Sequence, residues 1–283
     1  MTIRELLPSL PVLTENEISA PDAIRSLLIS KAAQEAPVLV VAPNSRIADL
    51  LKSEISSISE FQISEFPAWE TLPHERLSPK GDTVTKRIKV LTEVLESSPR
   101  IVITSIRGLL QPISKSAVST GAINLKVGDE ISMPELIARL VHFGFTRSDL
   151  VERRGDFAVR GGIIDVFPPQ AMHPIRVEFF DDTIDEVRYF SVADQRSLEI
   201  CQDELLALPA REILLNDEVR KRAANLAAKH APLSEMFLRI SQGIPVEGME
   251  SLMPALTNEL ENFVDLLPPN SHIISIAPEL IRS

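Results

Sequence analysis

The run "HIISIAP" at 272–278 constrains the fold of this chain more than any other segment. Short apolar runs rich in β-branched residues read as buried strands, and a strand without a neighbour leaves its backbone N–H and C=O groups unpaired. What precedes it in sequence reads as helix. Its natural neighbours are the apolar runs near the start of the chain, "VLVVAP" (38–43) and "IVIT" (101–104). Everything between must then be an excursion from a sheet that the chain leaves and later rejoins.

The first part of the chain supplies that sheet. After Pro21, residues Ile24, Leu27, Leu28 and Ala32 share a helix face. "NSRIADLLKSEISSI" follows the first strand, with Asn44 or Ser45 as the cap and Ile47, Leu50, Leu51, Ile55 and Ile58 at helical spacing. "FQISEF" (61–66) reads as a strand, and Val84, Ile88, Leu91 and Leu95 mark a further helix. Strand alternating with helix predicts a parallel α/β sheet over residues 1–122.

Over 123–208 the pattern becomes short alternating strands with one helix, "MPELIARLVHFG" (133–144). "GDFAVRGGIIDVFPP" (155–169) reads as two strands meeting at Gly161–Gly162, where a positive φ permits a tight turn. "IRVEFF" and "TIDEVRYF", joined by Asp181–Asp182, read as a hairpin. This is an α+β unit inserted into the α/β domain. Residues 209–283 return to helices ("NDEVRKRAANLAAKH", "SEMFLRI", "MESLMPAL", "ELENFVDLLP") before the final strand that completes the first sheet.

Composition narrows the function. At 44% hydrophobic and 24% charged the chain is an ordinary globular sequence, and a net charge of −11 disfavours a surface devoted to nucleic acid. Cys201 is the only cysteine, so no internal disulfide forms, and cytoplasmic residence is the simple expectation. Cys201 itself reads as an inert side chain. His74, His142, His173, His230 and His272 are scattered without ligand spacing, and no metal or cofactor is expected. No run approaches the roughly 18 apolar residues of a membrane span, and "MTIRELLPSLPVL" carries no export signal.

A phosphate loop needs GxxxxGK[ST], yet none of the ten glycines precedes a lysine. The nearest decoy, "SPKGDTVTKR" (78–87), has the wrong lysine placement. GxGxxG and GxSxG are absent too. The acidic clusters at Asp181–Asp182, 185–188, 203–206 and 217–220 read as turns and solvated faces. No residue-level pattern supports an enzyme.

One pattern instead points to recognition. In "PIRVEFFDDTIDEVRYF" (174–190) strand alternation sets Ile175, Val177 and Phe179 on one face and Arg176, Glu178 and Phe180 on the other. In "FAVRGG", Arg160 points away from Phe157 and Val159. Arginine and aromatic residues are enriched at interface hot spots, and an arginine fork can pair with a partner's carboxylate. The plainer reading makes Arg160 and Arg176 solvated strand residues, and a bulge at "FFDD" would turn Phe180 inward. Arg153, Arg154 and Arg188 lie near the same strands as a basic extension that Asp156 and Glu178 dilute.

Four strings carry a family resemblance: "FPAWETLPHERLSPKGDTVTKR" (66–87), "RRGDFAVRGGIIDVFPP", "PIRVEFFDDTIDEVRYFSVADQRSL" (174–198) and "GIPVEGMESLMPAL" (243–256). Together they resemble the N-terminal part of bacterial transcription-repair coupling factors (Mfd), and the same module is similar to part of the excision-repair protein UvrB. The resemblance runs from about residue 37 to the end. It implies a degenerate, P-loop-derived helicase-like domain (1A, 1–122; 1B, 209–283) interrupted by a UvrA-interaction domain (domain 2, 123–208). It maps the UvrA contacts onto Arg160, Arg176 and Phe180. Without a P-loop, and with Tyr189 as the sole tyrosine, the chain is closer to the Mfd type than to UvrB, whose module keeps its motor and a tyrosine-rich clamp. The implied function is non-catalytic recruitment of UvrA. In a full-length coupling factor, an ATP-dependent DNA translocase, other domains would engage RNA polymerase and DNA; this chain reads as an N-terminal fragment. The rival readings are a residual helicase-type ATPase and direct binding of damaged DNA. Around Trp69 the plain reading is a packed loop anchored by the indole.

Overall fold

A computed structural model describes residues 18–72, 75–97, 99–114, 119–201, 203–258 and 260–282. In chain order its strands are β1 (Val38–Ala42), β2 (Ile63–Phe66), β3 (Ile101–Ser105), β4 (Ile113–Ser114), β5 (Ile123–Lys126), β6 (Thr146–Arg147), β7 (Asp156–Arg160), β8 (Ile163–Val166), β9 (Ile175–Phe180), β10 (Thr183–Phe190), β11 (Ser197–Cys201), β12 (Glu204–Ala207), β13 (Leu260–Glu261) and β14 (His272–Ser275). The chain divides into two compact units. One comprises the residues up to Trp69 with Val90–Pro112 and those from Glu261 on; the other comprises Glu70–Lys89 and Ile113–Leu260.

In the first unit four parallel strands lie in the order β14-β1-β3-β2. Every residue of β1 and β3 is buried, as strands covered on both faces require. Val38 stands opposite His272 and Val41 opposite Ser275, so the strand at the far end of the sequence is an edge of the sheet begun near its start. Asn44 caps the helix Ser45–Ile58 by accepting the Ile47 N–H at 3.0 Å, a contact of about 1 kcal/mol in a typical helix. That helix and Asp22–Glu35 bury Ile29, Ala33, Ala48, Leu51 and Ile55 against the strands. Trp69 is buried, its backbone N–H donating to Gln111 Oε1 at 2.7 Å, as an anchored loop predicts. "ELENFVDLLP" departs from the helical expectation: it forms part of β13 and a 3-10 turn, Phe263–Leu266. Two causes act there. Pro268–Pro269 forbids continuation of a helix, and the Phe263 ring is buried 4.4 Å from that of Phe66.

In the second unit six strands lie in the order β11-β10-β9-β8-β7-β6, antiparallel except for the short β6–β7 pair. One face packs on the helix Met133–His142 and on the separate β5–β12 ribbon. Its core joins Phe157, Ile164, Val166, Ile175, Val177, Ile184 and Val187 to Leu136, Leu140, Ile123 and Leu205. Ser132 caps that helix by accepting the Glu135 N–H, and Pro134 occupies its first turn.

Two sequence strings far apart meet in this unit. Ser78 Oγ donates to Glu250 Oε2 at 2.6 Å and accepts the Gly248 N–H at 2.9 Å, while the Ser78 N–H donates to Glu247 Oε1 at 2.9 Å. Gly248 has φ +76°, and a Cβ there would lie 2.5 Å from the Arg76 carbonyl carbon. Only glycine fits. Arg87 and Glu212 form an ion pair at 2.7 Å with side chains 0% and 2% exposed. The segment that imitates a phosphate loop in sequence is thus built into the packing of this unit.

Candidate protein-docking face

The strands that position the face are two hairpins. β7 and β8 turn at Gly161, with φ +57° and open space where a side chain would be. β9 and β10 turn at Asp181, with φ +53°, a left-handed position that aspartate tolerates better than most residues. The Asp182 carbonyl accepts the Ile131 N–H at 2.8 Å, which ties this second tip to the body of the unit.

Alternation holds along β9. Ile175 and Val177 are buried and Phe179 packs partly against the core, so Arg176, Glu178 and Phe180 face outward. A bulge does occur, but between Ile184 and Glu186 on the partner strand, where it leaves the direction of the β9 side chains unchanged. Phe180 is 73% exposed. It lies four residues from Arg176, about 13 Å along the strand. Arg160 is exposed at the end of β7, and its Nη2 donates to the Asp149 carbonyl at 2.9 Å.

Arg176 is held differently. Asp165 on β8 stands directly opposite it, and the two pair bidentately: Nε to Oδ1 at 2.7 Å and Nη2 to Oδ2 at 2.8 Å. The carboxylate side chain is 3% exposed and the arginine 16%. The guanidinium also lies over the Phe190 ring, 4.8 Å from its centroid. Phe190 is itself buried, with Val151, Ala158 and Phe167, in a small apolar cluster on this outer side of the sheet. Hydrogen bonding to Asp165 outweighs desolvation and raises the Arg176 pKa above its ordinary value.

Two arginines of the predicted basic extension, Arg188 and Arg154, are paired with carboxylates. Arg188 stands opposite Arg176 across β9–β10, a like-charge pairing that would be unfavourable alone. Its Nη2 donates to Glu178 and to Glu186, each at 2.6 Å. Arg154 pairs with Asp82 at 2.8 Å and lies over the Phe167 ring. The backbone N–H of Arg153 donates to Asp156.

Arg160, Arg176 and Phe180 therefore share one side of one sheet. Asp165 and Phe190, which fix Arg176, escaped the sequence reading. The available signal was a lone carboxylate inside the apolar strand "IIDV", since a buried charge calls for a partner. Among the described residues no cluster of three or more His, Cys, Asp or Glu is set to hold a metal, and no helix is long and apolar enough to cross a membrane. His74 and the Cys201 side chain lie outside what is described.

The face thus belongs to a sheet with a helix on one side and mixed arginine and aromatic side chains on the other. Residues 123–212 match the family described as the UvrB interaction domain. Over 286 aligned residues the chain is 42% identical to the transcription-repair-coupling factor of Mycobacterium tuberculosis, covering 95% of this chain and 23% of the relative. It is 35% identical to that of Myxococcus xanthus over 78% of this chain and 20% of the relative. With the Escherichia coli protein the figures are 28%, 84% and 21%. The chain belongs to the transcription-repair-coupling factor family, and it spans about a quarter of the length of these relatives (23% for the mycobacterial protein).

Proposed function

We propose that this chain is a non-catalytic docking module of transcription-coupled nucleotide excision repair that recruits UvrA through Arg160, Arg176 and Phe180. It does so with the surface by which UvrB meets the same partner. The observation that carries the reading is Phe180: a large aromatic ring, 73% exposed, on a tip that is tied down, on the same side of the sheet as an arginine of fixed orientation. Burying such a ring in a partner's pocket contributes about 1.5–3 kcal/mol. The family membership and the name of the matching domain support the assignment to repair.

On this reading residues 1–122 and 209–283 are the halves of a degenerate helicase-like domain, and 123–208 are the inserted UvrA-interaction domain. Nucleotide hydrolysis, RNA polymerase contact and DNA translocation belong to other parts of a full-length protein working in the cytoplasm. Titration of UvrA with the purified chain tests the proposal. Arg176→Ala and Phe180→Ala, each with an unchanged fold, should both bind weakly; affinities equal to the parent's would remove this surface from consideration.

A further inference from the structure

The Arg176 guanidinium is only partly engaged within the chain. Of the three guanidinium nitrogens, Nε and Nη2 are engaged by Asp165, and the aromatic platform of Phe190 takes one of the flat sides. Nη1 makes no hydrogen bond among the described residues and is not sealed from solvent. The side of the fork most often used to grip a carboxylate is already occupied within the chain, and only the end of the group remains to meet a partner.

We propose that Asp165 is a positioning residue for docking: its carboxylate, with the Phe190 ring beneath, aims the Arg176 guanidinium so that Nη1 meets a partner's acceptor end-on. The inference rests on the docking reading above. Its physical basis is preorganisation. An arginine side chain left to itself loses rotamer freedom on binding, whereas one already fixed by two hydrogen bonds and a ring loses little. Asp165 reaches nothing outside: it is buried, and its effect on a partner must pass through Arg176.

That dependence is what an experiment can isolate. Affinity for UvrA is measured for the full chain as parent, Asp165→Asn, Arg176→Ala and the double variant, with each thermal midpoint recorded alongside. Asp165→Asn keeps the side-chain size but weakens the clamp, and the expected result is binding at least roughly tenfold weaker. In the Arg176→Ala background the same change should cost nothing more, because the group through which it acts is gone. Arg176→Lys, which cannot reproduce the two-pronged contact, should resemble Arg176→Ala. A purely structural role would lower the thermal midpoint and leave affinity at the parent's value. Parent-like affinity of Asp165→Asn while Arg176→Ala binds weakly would overturn the positioning role and leave the docking surface standing. So would equal losses in both backgrounds. Parent-like binding by Arg176→Ala and Phe180→Ala would remove the docking surface and the positioning role together.

Discussion

Arg176 and Asp165 face each other across β8 and β9 and share two hydrogen bonds, of 2.7 and 2.8 Å. The pair divides the outer side of the sheet into a fixed part, where side chains satisfy one another, and a free part, where Phe180 meets solvent. Substitutions in the two parts should therefore behave differently.

Phe180 is the clean probe of function without stability. Because the ring is mostly exposed, Phe180→Ala should leave the thermal midpoint close to the parent's. It should weaken UvrA binding by about 2 kcal/mol, roughly thirtyfold, as truncation of an aromatic hot spot does. Calorimetric titration and a melting curve on the same sample decide the matter; a large fall in midpoint would mean that the ring supports the fold.

Arg176→Ala should affect both. Removing the guanidinium strands a buried carboxylate, so denaturant unfolding should show a loss of about 3–5 kcal/mol, the usual consequence of breaking a buried pair from one side. Replacing both members, Arg176→Leu with Asp165→Leu, should restore much of the stability but none of the binding.

Stability of the second unit should depend on Arg87 and Glu212. Glu212→Ala leaves a buried guanidinium without that partner, and a cost of about 3–5 kcal/mol is expected in a chemical denaturation midpoint. UvrA affinity of the protein that remains folded should not change, since neither side chain reaches the surface.

Gly248→Ala combines an unfavourable φ with a clash against the Arg76 backbone. A loss of more than about 1 kcal/mol is expected. Ser78→Ala removes one hydrogen bond to Glu250 and one from Gly248, and should be destabilising without that steric component. A midpoint for Gly248→Ala equal to the parent's would show that the turn relaxes freely.

Much of this architecture could be read from periodicity. The run of buried residues in β1, the alternation in β9 and the glycine pair at 161–162 each follow from one local rule, and each element forms where that rule puts it. The outward placement of Arg160, Arg176 and Phe180 was legible for the same reason. What escaped was non-local. Nothing near Arg176 in sequence announces that Asp165 will stand opposite it, because strand register is set by turns and core packing together. The pairing of Arg188 with Glu178 and of Arg154 with Asp82 has the same origin, since these carboxylates come from the neighbouring strand β9 and from a helix distant in sequence. The helical expectation for "ELENFVDLLP" failed because the proline pair that follows and the buried Phe263–Phe66 contact together outweighed local propensity.

The pairing of Val38 with His272 also governs when this sheet becomes complete. A ribosome releases β1 long before β14. The intervening residues must therefore organise themselves while β1 still lacks one flank. Loop closure over so long a stretch adds only logarithmically to the entropic penalty, so the delay is one of synthesis rather than of equilibrium. Until β14 emerges, the flank of β1 that it will cover is an unpaired sheet edge, the kind of site at which premature association between neighbouring copies begins.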